Sequence, residues 1–220
     1  ATSRNVPAVQ TVDDTGVEAL LEAAERVAIA IRSPYYGPAL ALGAGESTLL
    51  EMTAGYGALA NGGYRVAPRA IASIYDPQDN TILAPEAPTF PQVMDPRHAY
   101  ILTDILADPA ARAPAFGAEN ALNLPFPSAA KTGTTNDYRD SWAVGYTPNL
   151  VVGVWMGNSD NTEMDRVTGA QGAAAIWNSV MSTAAQNASG AAFARPEGLV
   201  EVEVCPLSGH PRGPGCPEGR

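Results

Sequence analysis

The sequence is almost without lysine. Of 13 basic residues among 220, only Lys131 is a lysine; the rest are arginine. Lysine carries a compact charge on a flexible stem, and its amine shares or releases a proton more readily than a guanidinium. A chain that uses arginine everywhere else makes Lys131, in Ser128-Ala-Ala-Lys-Thr-Gly-Thr-Thr135, the first candidate for chemistry. Histidine is scarce as well. His98 and His210 lie far apart, so a Ser-His-Asp triad or a His-rich metal site is hard to build. Acyl chemistry on this chain would need a lysine in place of the histidine base. Positive charge is scarce overall: the formal net charge is −10 and the sequence pI is near 4.5. That argues against a nucleic-acid partner, whose phosphates need clustered lysine and arginine. The acidity itself reads as solubility. No apolar run approaches the ~18 residues of a membrane span, and the chain shows no initiator Met or signal-peptide pattern. The opening Ala1-Thr-Ser-Arg-Asn-Val-Pro7 reads as the interior of a longer protein, so the location of that protein is not readable here. Cys205 and Cys216 are too few for a structural zinc site even with His210, because four ligands are usual. No metal and no cofactor are expected.

What is present suits a packed fold of one or two domains. The apolar fraction of 45% is enough for a core. Thr15-Gly-Val-Glu18 has the pattern of a capping box, and the apolar residues from Val17 to Ile31 have helical spacing, with a stop near Ser33-Pro34. A second helix is expected from Thr48-Leu-Leu-Glu51 to Asn61-Gly62-Gly63. A strand is expected over Arg69 to Tyr75, then a surface loop over 78–93. Asp95-Pro96 opens a third helix, with Ile101, Leu102, Ile105 and Leu106 as its face and His98 on or beside it. Three strands follow, at about 128–135, 139–147 and 150–157. The last, Leu-Val-Val-Gly-Val-Trp-Met-Gly, is so apolar that it reads as a central strand covered on both faces. Thr147-Pro148-Asn149 makes the turn before it. A helix from about Ala173 to Gln186 carries Ile176, Trp177, Val180, Met181 and Ala184. The tail, 196–220, is rich in proline and glycine, with a short strand-like Val200-Glu-Val-Glu-Val204. No internal repeat is visible.

Lys131-Thr132-Gly133-Thr134 fits a strand with a functional edge. Glycine lets a ligand backbone approach closely. Two hydroxyls and a cation on one rim suit a substrate that ends in a carboxylate. Alone, the motif is short enough to be an ordinary exposed strand. Its context is more specific. Ser-x-x-Lys, Ser-x-Asn and Lys-Thr-Gly form one signature set of acyl-serine enzymes. Ser3-Arg4-Asn5 supplies Ser-x-Asn, upstream of Lys-Thr-Gly as the set requires.

The stretches 2–10, 49–63 and 130–146, continued by 151–158 and 172–181, resemble the transpeptidase domain of the class A, bifunctional penicillin-binding proteins. The resemblance runs over nearly the whole chain. It implies an α/β (α+β) fold: an antiparallel sheet flanked by helices, like the serine β-lactamases and penicillin-binding transpeptidases, incomplete at its N-terminus. Residues 1–190 would be the later part of that domain, and 191–220 an appendage. The family's nucleophile is the serine of Ser-x-x-Lys, which the resemblance places before residue 1. Ser128-Ala-Ala-Lys131 imitates the motif. A serine and lysine at that spacing meet on a helix and face apart on a strand. Pro125 and Pro127 before it and Thr-Gly-Thr-Thr after it are poor helix sequence, so Ser128 is rejected as nucleophile.

By resemblance, the absent serine would attack a peptide ending in D-Ala-D-Ala, or a β-lactam. Ser3 would relay a proton to the leaving nitrogen. Asn5 would bind the substrate amide and the absent lysine. Lys131 would supply positive potential and position the substrate carboxylate. Thr132 and Thr134 would offer hydroxyls to it, and the Thr134 N–H would form half of an oxyanion hole. Against this stands a plain reading of Ser3 and Asn5 as a helix cap or loop. Asn136, Asp137, Arg139 and Asp140 read as a polar loop, or else as the rim of the site. In the extracytoplasmic setting that the family implies, Cys205 and Cys216 are expected to form a disulfide.

The leading expectation is thus part of a D,D-transpeptidase that cross-links peptidoglycan. Its partners would be stem peptides and β-lactams. The parent would be anchored at the extracytoplasmic face of the bacterial membrane, with a glycosyltransferase domain upstream. A D,D-carboxypeptidase or β-lactamase of the same fold, or a non-catalytic peptidoglycan-binding remnant, are the alternatives.

Overall fold

The computed structural model describes residues 1–84, 87–184, 190–205 and 208–217. The chain begins with two helices at a corner, α1 (Asn5–Thr15) and α2 (Val17–Arg26). The capping box expected at Thr15 does not form. Thr15 is the last residue of α1, and its hydroxyl donates back to the Thr11 carbonyl at 2.7 Å. Gly16 makes the corner at φ 88°, a conformation that favours glycine. Ser3 and Asn5 therefore sit at the entry to a helix that the polar, weakly periodic sequence of residues 5–15 did not announce. α2 also stops earlier than Ser33. Ala28 turns to φ 62°, and Arg32 leaves to form a β-bridge with Glu46.

Helix α3 (Leu49–Ala60) begins at the expected place. The Glu51 N–H donates to Thr48 Oγ1 at 3.2 Å, and the Thr48 N–H donates to Glu51 Oε2 at 2.8 Å, a complete capping box. Arg32 grips the same Glu51 carboxylate with two nitrogens, at 3.0 and 2.8 Å.

The strand expected over Arg69–Tyr75 shrinks to β1 (Ile74–Tyr75). It pairs with β2 (Thr81–Leu83), which lies inside the expected loop. The Asp76 carboxylate, accepting from the Gln78 and Asn80 N–H groups, tightens the turn between them.

Asp95 caps α4 (Pro96–Ala107) as expected, but the helix presents a different face. Ala99 and Thr103 are buried, while Ile101, Leu102 and Ile105 are each more than 40% exposed. Small residues let α4 approach β3 closely, and the buried Thr103 hydroxyl is satisfied by the Ala99 carbonyl and Tyr146. His98 is exposed. A further helix, α5 (Pro109–Phe116), follows at once, capped by Asp108. Buried Arg112 donates to the Leu106 carbonyl, so its charge faces the negative end of α4.

The sheet is β3 (Ala129–Thr134), β4 (Asp140–Thr147) and β5 (Leu150–Gly157), antiparallel in that order. The central strand is β4, not β5. The apolar run of β5 comes from cover on its two faces. Gly153 meets Leu49 and Thr53 of α3 on one, and Leu150, Val152 and Val154 pack into the α6 core on the other. Helix α6 (Ala173–Ala184) buries Ala173, Ala174, Trp177 and Met181 and leaves Ile176 and Val180 exposed. Its expected end at Gln186 lies outside the described residues. So do Pro85 and Glu86 of the loop expected over 78–93, and Pro206, Leu207 and residues 218–220 of the tail.

Past residue 190, Phe193 sets its ring edge-on to buried Tyr146 at 5.7 Å. Beyond it, Val204 bridges to Pro211, and Cys205 and Cys216 are bonded with Cα atoms 5.7 Å apart. No helix among the described residues is long and apolar enough to cross a membrane.

Candidate active site

Strand alternation sorts the Lys-Thr-Gly-Thr segment. Lys131 and Gly133 lie on the sheet face with Trp142, Val144 and Trp155; Thr132 and Thr134 lie on the other, with Ser141 and Ala143. β3 is an outer strand, so one of its edges is open. Thr135 donates its N–H across to the Asp140 carbonyl at 3.1 Å. Alternate residues of an antiparallel strand point their N–H groups to opposite sides. The Thr134 N–H is therefore aimed out of the sheet, over the open edge.

Lys131 curls around that edge. Its Nζ donates to the Ser3 hydroxyl at 2.5 Å and to the Thr132 carbonyl at 2.7 Å. Ser3 stands just before α1 at φ 54°, a left-handed conformation that a serine adopts at a cost. Two residues 128 positions apart thus meet in one hydrogen bond. Lys131 is half-buried, and burial holds its pKa below the ordinary lysine value. Among the described residues no carboxylate pairs with it; the ion pairs all use arginine. A half-buried cation with no counterion among the described residues can take an anionic ligand, which would favour its charged form.

The Lys-Thr-Gly-Thr segment forms one wall of a cavity of about 890 Å³. The opposite wall is apolar, from Leu20, Val27, Met52, Tyr56 and their neighbours on α2 and α3. Thr132, Gly133 and Thr134 line the cavity with Lys131. Asn5 does not. It opens α1 on an exposed shoulder, in a neighbouring groove with Val6, Val9 and Asp13. The Thr134 hydroxyl accepts the Gly169 N–H at 2.8 Å, so its own proton stays free to donate. Ser128 is buried in an extended segment one residue before β3, so it shares no helix face with Lys131.

Several wall residues were not singled out from the sequence. Trp155, Asn161 and Gly169 surround the far end of β3. Asp140, left open between loop and rim, lines the cavity, while Asp137 and Tyr138 take positive φ of 61° and 54° in the turn before it. Consecutive left-handed residues without a glycine are a signal only coordinates provide.

Lys131 and Ser3 thus place an ammonium on a serine hydroxyl beside the open edge of the sheet. Residues 3–182 match the family model of the penicillin binding protein transpeptidase domain. The chain belongs to that family. It is 38% identical over 167 residues to penicillin-binding protein 1A of Neisseria meningitidis, covering 73% of this chain and 21% of that protein. It is 31% identical over 221 residues to penicillin-binding protein 2D of Bacillus subtilis, covering 98% of this chain and 31% of that one. The chain thus spans about a fifth to a third of the length of these relatives. Among solved structures, penicillin-binding protein 1A from Haemophilus influenzae superposes with TM-score 0.80 at 22% identity, over 98% of this chain and 38% of its own. PonA1 of Mycobacterium tuberculosis, in complex with penicillin V, superposes with TM-score 0.69 at 25% identity, over 83% of this chain and 53% of its own. The resemblance and the fold class read from the sequence are both borne out.

Proposed function

We propose that this chain supplies the Ser-x-Asn and Lys-Thr-Gly side of a D,D-transpeptidase site. The whole enzyme acts on peptidoglycan stem peptides ending in D-Ala-D-Ala and is acylated by β-lactams. The observation that carries the reading is the hydrogen bond from Lys131, which lines the cavity, to Ser3, made by the two motifs in their family order.

The chemistry follows from the geometry. Acyl transfer needs a nucleophile, a proton route to the leaving nitrogen and donors for the developing oxyanion. The nucleophile is the serine of a Ser-x-x-Lys helix in the preceding part of the parent protein. Ser3 carries the proton to the leaving nitrogen, and Lys131, bonded to its oxygen, sets the potential at that step. Lys131 also meets the substrate carboxylate, with the Thr132 and Thr134 hydroxyls. The Thr134 N–H, aimed over the open edge, is one oxyanion donor; loss of such a donor typically costs about 3–4 kcal/mol. Asn5, two residues after Ser3 and the first residue of α1, faces the substrate amide once the preceding segment completes the cleft. Cys205 and Cys216 close the tail as a disulfide, in keeping with an extracytoplasmic setting. The parent is membrane-anchored and carries a glycosyltransferase domain before this one.

The test is acylation by a fluorescent penicillin. The full-length protein is expected to form a covalent adduct that is lost when the Ser-x-x-Lys serine becomes alanine. Residues 1–220 alone are expected to form none. No adduct on the full-length protein would sink the reading. A stable adduct on the isolated chain would overturn the assignment of the nucleophile to the preceding segment. With a D-Ala-D-Ala donor and a labelled D-amino acid, transfer to the amine marks a transpeptidase, and hydrolysis alone a carboxypeptidase.

A further inference from the structure

Resting on that reading, we infer that Trp155 and Asp140 are positioning residues for acylation, holding the end of β3 so that the Thr134 N–H stays aimed at the reacting carbonyl. Four observations carry this. The Trp155 indole Nε1–H donates to Asp140 Oδ1 at 2.7 Å, a diagonal contact across β4 and β5 on the sheet face that Lys131 shares. Asp140 in turn is locked to Thr135 through its backbone. Its N–H donates to Thr135 Oγ1 at 2.8 Å, and its carbonyl accepts the Thr135 N–H at 3.1 Å. Thr135 directly follows Thr134, the proposed oxyanion donor. Between these two anchors, Asp137 and Tyr138 hold consecutive positive φ angles, a conformation that persists only when its surroundings over-determine it.

Gly157 makes the contact geometrically open. A Cβ there would lie 2.5 Å from Trp155 Cζ2 and 2.9 Å from the Arg139 carbonyl oxygen, so the indole lies over the glycine on its way to Asp140. Trp155 is 40% exposed and lines the cavity together with Asp140, Thr134 and Thr135. The hydrogen bond to Asp140 is its one directed side-chain contact, made outside the buried core. A strained turn tied at one side by that bond relaxes when the bond is removed, and the Thr134 N–H swings with it.

The experiment uses the full-length protein and measures acylation by penicillin in two parts, the noncovalent affinity and the acylation rate constant, corrected for active fraction by titration. Trp155→Phe keeps an aromatic ring and removes the donor. It is expected to lower the rate constant about tenfold with affinity unchanged, as small misplacements of reacting groups do. Asp140→Ala is expected to do the same, and the Trp155→Phe/Asp140→Ala double variant to be no slower than either single one. Asp140→Asn, which keeps an oxygen acceptor for the indole, is the rescue and retains most of the rate. Gly157→Ala drives a Cβ against the indole while leaving both side chains of the pair unsubstituted, and is expected to behave like Trp155→Phe. A merely structural pair would lower the active fraction and leave the rate per active site unchanged. That result, or additive losses in the double variant, overturns the inference. If the unsubstituted protein is not acylated at all, the failure lies with the proposed function instead.

Discussion

Lys131→Arg in the full-length protein separates charge from geometry. The ammonium sits between two acceptors, Ser3 Oγ at 2.5 Å and the Thr132 carbonyl at 2.7 Å. A guanidinium keeps the charge, but it is planar, wider and carried further from the backbone. It cannot put one compact donor on both oxygens. The expected loss is one charge-assisted hydrogen bond, about 1.5–3 kcal/mol, which is roughly 10- to 150-fold in acylation efficiency. The pH profile adds a second readout. Burial holds the Lys131 pKa below the ordinary lysine value. The cation is therefore present below that lowered pKa and is lost as pH rises through it. Acylation by a carboxylate-bearing β-lactam should fall on the alkaline side sooner than an unperturbed lysine would give. Arginine stays protonated to a pH above about 12, so the variant should lose that alkaline limb while its plateau drops. The assay is the rate of fluorescent-penicillin acylation from neutral pH into the alkaline range. A variant that acylates at the wild-type rate would mean charge alone suffices. An unchanged alkaline limb in the variant would mean the titration belongs to another group.

Two further predictions concern the sheet that carries the site. Gly145→Ala would bring a Cβ to 2.4 Å from Trp177 Cζ2, 2.7 Å from the Ala129 carbonyl oxygen and 2.8 Å from the Ala130 Cβ. Two of these neighbours belong to β3 and cannot move alone, so overpacking should cost about 1–3 kcal/mol, read as a lowered Tm of the domain; an unchanged Tm would refute the packing. In Tyr146→Phe only one hydrogen bond is at stake. Thr103 spends its proton on the Ala99 carbonyl, so the tyrosine donates in the 2.9 Å Tyr146–Thr103 contact, and burial, the main cause, pushes its pKa up to about 12. The cost should be about 1 kcal/mol in urea unfolding, because Thr103 keeps its own acceptor.

The sequence made some parts of this molecule plain and hid others for physical reasons. Local signals held where one residue fixes one backbone group: Thr48 and Asp95 cap the helices that follow them. The three strands of the sheet were visible because the β4 and β5 turn and the Lys-Thr-Gly-Thr segment each have distinctive chemistry. Facing was harder. Helix α4 offered an apolar stripe at Ile101, Leu102 and Ile105, yet it packs through Ala99 and Thr103. Close approach to a strand rewards small side chains, and hydropathy does not record that. β5 looked central because apolar cover on two faces reads the same whether or not both edges are paired. The Ser3–Lys131 contact could be anticipated only from the order of two motifs, never from spacing. The Trp155–Asp140 contact had no signal at all, because a diagonal pair exists only once the register of β4 against β5 is set.

That contrast bears on why one lysine survives in a chain of arginines. At the five ion pairs among the described residues a guanidinium meets a carboxylate at the surface or half-exposed, and arginine's fork suits that task. Lys131 has a different surrounding. It is half-buried, its partners are a hydroxyl and a carbonyl, and no carboxylate of the described protein balances it. Burial without a counterion destabilises the charged form, so selection for stability alone would remove it. A protein of net charge −10 could have placed an acid there easily. Leaving the charge uncompensated makes sense if its counterion arrives with the ligand. The same local positive potential would draw an anionic ligand into the cleft against the repulsion of the acidic surface around it.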